Sequence, residues 1–290
     1  TVNWEIDVVE THGLDEAEGL DLEVKQLASK GGTTISLQAE DVDMIVSDWV
    51  WVARQCAEGQ AYSFVPYSTN LGALVVPADS AIESLDDLRG KRLGIAGGPL
   101  DKSFLLLRGL TERKHGFDAG QAVETVFAAP PLLNQQILQG RVDAVLNYWH
   151  YAARLEASGL RRLIGVEDIV RELGIESKVP LVGYVFDEDW AAANEADVLA
   201  FVRATRAARG ILAESDAEWE RLRPRMKAED DATFRALRDG FRAGIPQRWG
   251  EAERADAERL FKILERLGGP KLVGDATTST DGTFWLPASY

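Results

Sequence analysis

A single cysteine, Cys56, among 290 residues excludes a disulfide framework and a cysteine-based metal cluster. Bases are also in deficit: 32 Lys and Arg stand against 47 Asp and Glu, and a formal charge of −15 repels phosphate backbones, which disfavours nucleic-acid binding. No stretch approaches the ~20 apolar residues of a membrane-spanning helix, the longest apolar pieces being strand-sized, such as Leu71–Pro77. The 3 histidines, His12, His115 and His150, lie far apart and form no metal-ligand spacing. Neither a G-x-S-x-G elbow, a phosphate-binding G-x-x-x-x-G-K-[ST] loop nor a Cys-His dyad is present, so the expectation is a protein without catalytic residues, cofactor or metal.

What remains is ordinary globular material, 46% apolar and 27% charged, long enough to favour two lobes over one. The first residue is Thr1, with no charged segment and apolar run ahead of it, which fits a processed exported chain or a trimmed one. Short apolar runs alternate with helical stretches, the pattern of sheets covered by helices. Strands are expected at Leu20–Gln26, Met44–Val46, Ala73–Val76, Arg92–Ala96, Val123–Ala128, Ala144–Asn147 and Leu181–Phe186. Helices are expected at Ser84–Leu88 with Ser84 as cap, at Asp101–Lys114, and from the Pro130-Pro131 pair through Gln139. Beyond Trp190 the chain becomes rich in Ala, Arg and Glu at helical spacing, including Val198–Leu212 and Asp256–Leu267, and the tail from Gly268 to Tyr290 reads as irregular.

One internal repeat outweighs these signals. Residues 42–59, VDMIVSDWVWVARQCAEG, match residues 142–159, VDAVLNYWHYAARLEASG, with identities at Val42/Val142, Asp43/Asp143, Trp49/Trp149, Ala53/Ala153, Arg54/Arg154, Ala57/Ala157 and Gly59/Gly159. Each copy reads as a buried strand running into a helix, with aromatics at the strand's carboxyl end, the edge where open α/β sheets bind ligands.

At this point the chain resembles the extracytoplasmic solute-binding proteins of ABC importers, specifically the nitrate, taurine and alkanesulfonate group that also contains thiamine-pyrimidine binders. The carrying residues are Gly13-Leu14 with Glu18-Gly19-Leu20-Asp21-Leu22-Glu23, then Val42-Asp43, the segment Ser84–Ile95 (SLDDLRGKRLGI), and Gln139-Gly140-Arg141-Val142-Asp143-Ala144. The resemblance covers residues 10 to 190 and implies an α/β, periplasmic-binding-protein type II fold: two lobes, each a mainly parallel sheet flanked by helices, with the ligand cleft between them. Lobe one would comprise residues 1–76 and 184–290, and lobe two residues 77–183, with extended crossovers at Gly72–Pro77 and Pro180–Phe186 as hinge. The family opens with a strand ahead of its first ligand loop, whereas this chain starts almost at that loop. The second-lobe motif also departs from the family's usual small-residue or W-E-P-Y type segment, reading Asn147-Tyr148-Trp149-His150-Tyr151.

The resemblance places the pocket near Asn3 and Trp4, at Asp48, Trp49 and Trp51, at Asn147, Tyr148, Trp149 and Tyr151, and at the turn carrying Gly97, Gly98, Lys102 and Ser103. Core packing remains open for the tryptophans, and a helix cap for Asp48. The Gly97–Ser103 turn reads either as an anion cradle or as a tight strand-to-helix connection. One lysine beside two acids, amid so many rings, points to a neutral or cationic heterocycle or amine over a small anion. The expected partners are that solute and an ABC-type permease, the expected state a monomer, and the expected location periplasmic or extracytoplasmic. A sulfonate or nitrate binder, and an enzyme of the pyrimidine-synthesis branch on the same fold, stand as alternatives.

Overall fold

The computed structural model describes residues 1–27, 30–279 and 282–288. Eight strands form two sheets: β1 (Met44–Asp48), β2 (Tyr62–Ser68), β3 (Gly72–Val76), β4 (Arg92–Ala96), β5 (Glu124–Ala128), β6 (Ala144–Tyr148), β7 (Arg161–Gly165) and β8 (Val182–Asp187). The smaller sheet runs β1-β8-β2 and the larger β5-β4-β6-β3-β7.

Pairing is mixed, which corrects the expectation of mainly parallel sheets. β8 is antiparallel to both β1 and β2, and β3 is antiparallel to both β6 and β7. Among the ladders of the eight described strands, those of β4 with β5 and β6 are the parallel ones. The cause is connectivity. β3 and β8 are the strands by which the chain enters the second sheet and returns to the first, and each inserts between neighbours that run the other way.

Alternation along the strands divides the core into layers. Phe64 and Val185 face one apolar cluster while Val65, Tyr184 and Phe186 face a second. In the larger sheet Leu74, Val76 and Leu146 join the first cluster, whereas Ala73, Val75 and Val145 face a third. The first cluster therefore takes one face of each sheet. The helices beyond Trp190 form as expected, Glu195–Glu214, Asp216–Met226, Asp231–Ala243 and Glu251–Gly268. Two of them reach the larger sheet's helices: Asp231–Ala243 packs on Trp149–Ala157, and Glu251–Gly268 on Lys102–Leu110.

Four expectations are revised. Leu20–Gln26 forms no strand and runs largely exposed, with no ladder partner. The segment holding Asn3 and Trp4 is a helix, Val2–Thr11, rather than a loop. The tail is not wholly irregular: Phe64 N donates to Thr283 O at 2.9 Å and Trp285 N to Phe64 O at 3.1 Å, adding a short parallel bridge to the β2 edge. Finally, Gly72–Val76 and Val182–Asp187 are ladder strands, so the chain crosses between sheets at 69–71 and 173–181 instead. Both crossings are tied down. Thr69 N donates to Gly244 O at 2.9 Å, and Trp49 Nε1 to Pro180 O at 2.9 Å.

Candidate functional site

The carboxyl ends of β4, β5 and β6 lie on one edge of the larger sheet, because these strands run parallel, and a helix starts at each: Lys102–Leu110, Pro130–Leu138 and Trp149–Ala157. In the smaller sheet β1 runs directly into helix Trp49–Ala57. Aspartates close two of these starts, as a short acceptor side chain before a helix commonly does. Asp48 Oδ1 accepts from Trp51 N at 2.9 Å, and Asp101 Oδ1 from Phe104 N at 3.2 Å.

The two capped starts meet. Lys102 Nζ lies 3.1 Å from Asp48 Oδ2, with the lysine side chain 20% exposed and the aspartate 7%. Gly97 adopts φ +90, and a Cβ there would sit 3.1 Å from Tyr148 Oη and 3.3 Å from Asp101 Oδ2, so this position has both a conformational and a steric reason to be glycine. Burial, and then the nearby Asp101 and Asp48 carboxylates, push the Tyr148 phenol up to about 12, leaving a neutral hydroxyl that hydrogen-bonds Asp101. Asp48, Gly97, Asp101, Lys102 and Tyr148 thus form one polar cluster fed from both sheets.

Other expected residues lie around this cluster or away from it. Asn147 is buried and engaged: Nδ2 donates to Pro130 O at 3.0 Å and to Asn134 Oδ1 at 2.8 Å, while Oδ1 accepts from Tyr148 N at 2.9 Å. Gly98 and Ser103 are half-buried on the same turn. Trp51 is half-buried and stacks on Tyr62, with centroids 5.4 Å apart. Trp149 is half-buried, edge-on to Trp4 at 6.3 Å, and the absent side chain of Gly240 makes room for it, since a Cβ there would meet the ring at 2.8 Å. Tyr151 is half-buried beside His150, centroids 4.4 Å apart. Two of the expected site tryptophans lie inside the cores instead. Trp49 is 0% exposed against Phe261 and Phe284, and Trp4 is 7% exposed among Trp219, Phe241 and Trp149. Asn3 is exposed on its helix.

Asp101, one of the two acids that the sequence sets beside Lys102, shares the cluster with Tyr148. A buried polar group escaped altogether. Tyr184 Oη donates to Glu5 Oε1 at 2.7 Å, and Arg209 Nε lies 3.3 Å from Glu5 Oε2. Arg209 also lies close to Tyr67, Phe241 and Gly244. These residues come from distant segments, so no local pattern announces them. Burial is the first cause of the rise of Glu5 and Tyr67, while the His150 imidazole is lowered to about 3 by burial and then by neighbouring positive charge. Among the described residues no group of His, Cys, Asp and Glu could hold a metal ion, and no helix is long and apolar enough to cross a membrane.

Comparison with solved structures places this geometry. The periplasmic aliphatic sulphonate binding protein SsuA from Escherichia coli superposes with a TM-score of 0.78 at 15% identity, covering 99% of this chain and 90% of that one. The alkanesulfonate-binding protein SsuA from Xanthomonas axonopodis pv. citri, bound to MOPS, gives 0.68 at 19% identity over 94% and 93%. The desulfurization enzyme DSZB gives 0.61 at 16% identity over 90% and 88%, so the fold itself serves both binding and catalysis. No curated protein matches the chain. The NMT1/THI5-like family model matches residues 8–218, which bracket both repeat copies and the Asp48–Lys102 contact. On that match, the chain belongs to the NMT1/THI5-like family.

Proposed function

We propose that the chain binds a small organic solute between its two sheets and delivers it to an ABC-type membrane permease. The observation that carries this reading is the meeting of Asp48 and Lys102, two helix starts from different sheets, at the strand ends where such folds receive ligands. The likeness to the SsuA proteins, a periplasmic aliphatic sulphonate binding protein and an alkanesulfonate-binding protein, supports transport and an extracytoplasmic location. Lobe one would run to the end of β2 and resume at β8. Lobe two would span β3 to the helix Val166–Glu172, and the crossings at 69–71 and 173–181 would act as hinge. The chain would act as a monomer without cofactor.

The solute is a neutral or cationic nitrogenous compound. The cluster holds two carboxylates, Asp48 and Asp101, against one ammonium, Lys102, the Tyr148 hydroxyl is neutral, and the helix starts at Trp49 and Lys102 already use aspartates as acceptors. Half-buried rings at Trp51, Tyr148, Trp149 and Tyr151 offer aromatic surface, and Trp4 backs Trp149 from within its core. A small anion on the 97–103 turn would depend on Lys102, and the named ligands of the relatives favour that alternative. Binding is favoured over catalysis by the state of Cys56, whose thiol is pushed up by burial and donates to Tyr62 O at 3.3 Å, a poor setting for a nucleophile.

A thermal-shift screen of small metabolites, followed by native mass spectrometry of the purified chain, tests the reading. The expected result is a solute that raises the melting temperature and adds its mass once per chain. Conversion of a solute by the chain would favour an enzyme instead.

A further inference from the structure

The partners of the ion pair between the sheets differ in freedom. Asp48 is fixed: it ends β1, one carboxylate oxygen accepts from Trp51 N at 2.9 Å, and its side chain is 7% exposed. Lys102 is the movable member, a point charge on a four-carbon stem at the first turn of its helix, with 20% of its side chain exposed. We propose that Lys102 is a built-in occupant of the cleft, latching the two sheets together in the solute-free protein by seating its ammonium on Asp48, and that the solute displaces it with an ammonium group of its own.

The inference rests on the solute-binding reading and specifies how that site is regulated and which solutes pass. Exchange of one ammonium for another keeps the local charge unchanged, so Asp48 is never left buried without a cation. An anion arriving at Lys102 does the reverse: it draws the lysine away and leaves the Asp48 carboxylate without its cation. The second acid is held close by: a Cβ on Gly97 would lie 3.1 Å from Tyr148 Oη and 3.3 Å from Asp101 Oδ2.

The test replaces the lysine by its own side chain in free form. Lys102→Ala removes the stem beyond Cβ together with the charge, and n-butylammonium supplies both with one methylene to spare, with n-butanol as the uncharged control. Calorimetric titration is expected to show n-butylammonium binding to Lys102→Ala at least tenfold more tightly than to the wild type, with no comparable binding of n-butanol. Adding Asp48→Asn to the variant should abolish the gain, and a single Lys102→Arg substitution should block n-butylammonium as the wild type does. Equal affinity of variant and wild type, absence of amine binding in both, or a gain that survives Asp48→Asn overturns the latch. Solute capture by the wild type is read in the separate metabolite screen, so a failed latch and a failed solute-binding reading give different results.

Discussion

Asp48 Oδ2 and Lys102 Nζ, 3.1 Å apart, join helix starts that follow strands of two different sheets, and both side chains are mostly withdrawn from water. Such a pair is worth more than an exposed one, because less solvent screens it, and removing one partner strands the other. A double-mutant cycle with Asp48→Asn and Lys102→Met is expected to give a coupling of about 1–3 kcal/mol in urea unfolding. The exposed Arg54–Glu58 pair, at 2.9 Å, should give under about 1 kcal/mol in the same measurement. Similar values for both pairs would remove the distinction.

The repeat predicts equivalent roles for Trp49 and Trp149, and the structure separates them. Trp49→Ala should cost about 3–5 kcal/mol, since it vacates the interior of a packed core and abandons the bond to Pro180 O. Trp149, half-buried against Trp4 and Gly240, should cost clearly less on the same change. Chemical denaturation of both variants checks the order, and a reversed order would contradict the burial assigned here.

Glycines near the crossing and the cleft differ in what surrounds them. A Cβ at Gly72 would lie 2.2 Å from the backbone oxygen of Asn147, an obstacle that cannot rotate away, whereas at Gly98 nothing lies within 4 Å. Gly72→Ala should lose at least about 1–3 kcal/mol, and Gly98→Ala should stay within about 0.5 kcal/mol of the wild type by thermal unfolding.

His150 makes stability depend on acid. Its pKa falls from 6.5 to about 3 on folding, so the unfolded chain takes up a proton that the folded chain refuses. The stabilisation is complete above pH 6.5 and is lost as pH falls toward 3. Between pH 7 and 4.5 the wild type should lose about 2–3 kcal/mol more than His150→Gln, measured by urea unfolding at both values. Parallel losses would show that the imidazole titrates normally.

Local patterns carried much of this architecture into the sequence. The repeat marks β1 with its helix and β6 with its helix, and both copies end on glycines of positive φ, +87 at Gly59 and +90 at Gly159. The strands that escaped notice, β2 and β7, are both sheet edges. β2 carries Pro66, which reads as a strand breaker but sits where its register with β8 shifts, and β7 opens on two arginines. Of the site, Asp48, Gly97, Lys102 and Tyr148 were legible because each stands at a strand end or helix start. Which rings face the cores was not, because burial of Trp49 and Trp4 depends on Phe261, Phe284, Trp219 and Phe241 from the far end of the chain.

A solute that binds between the sheets at Asp48 will be read by calorimetric titration. Taurine, an alkanesulfonate, nitrate, a pyrimidine and a quaternary amine would be titrated into the wild type and into Asp48→Asn, which retains a side-chain oxygen for the cap. The account predicts micromolar or tighter binding of the pyrimidine or the amine, weakened at least tenfold by Asp48→Asn. Submicromolar binding of a sulfonate or nitrate without response to the other two, or binding indifferent to Asp48, would contradict it.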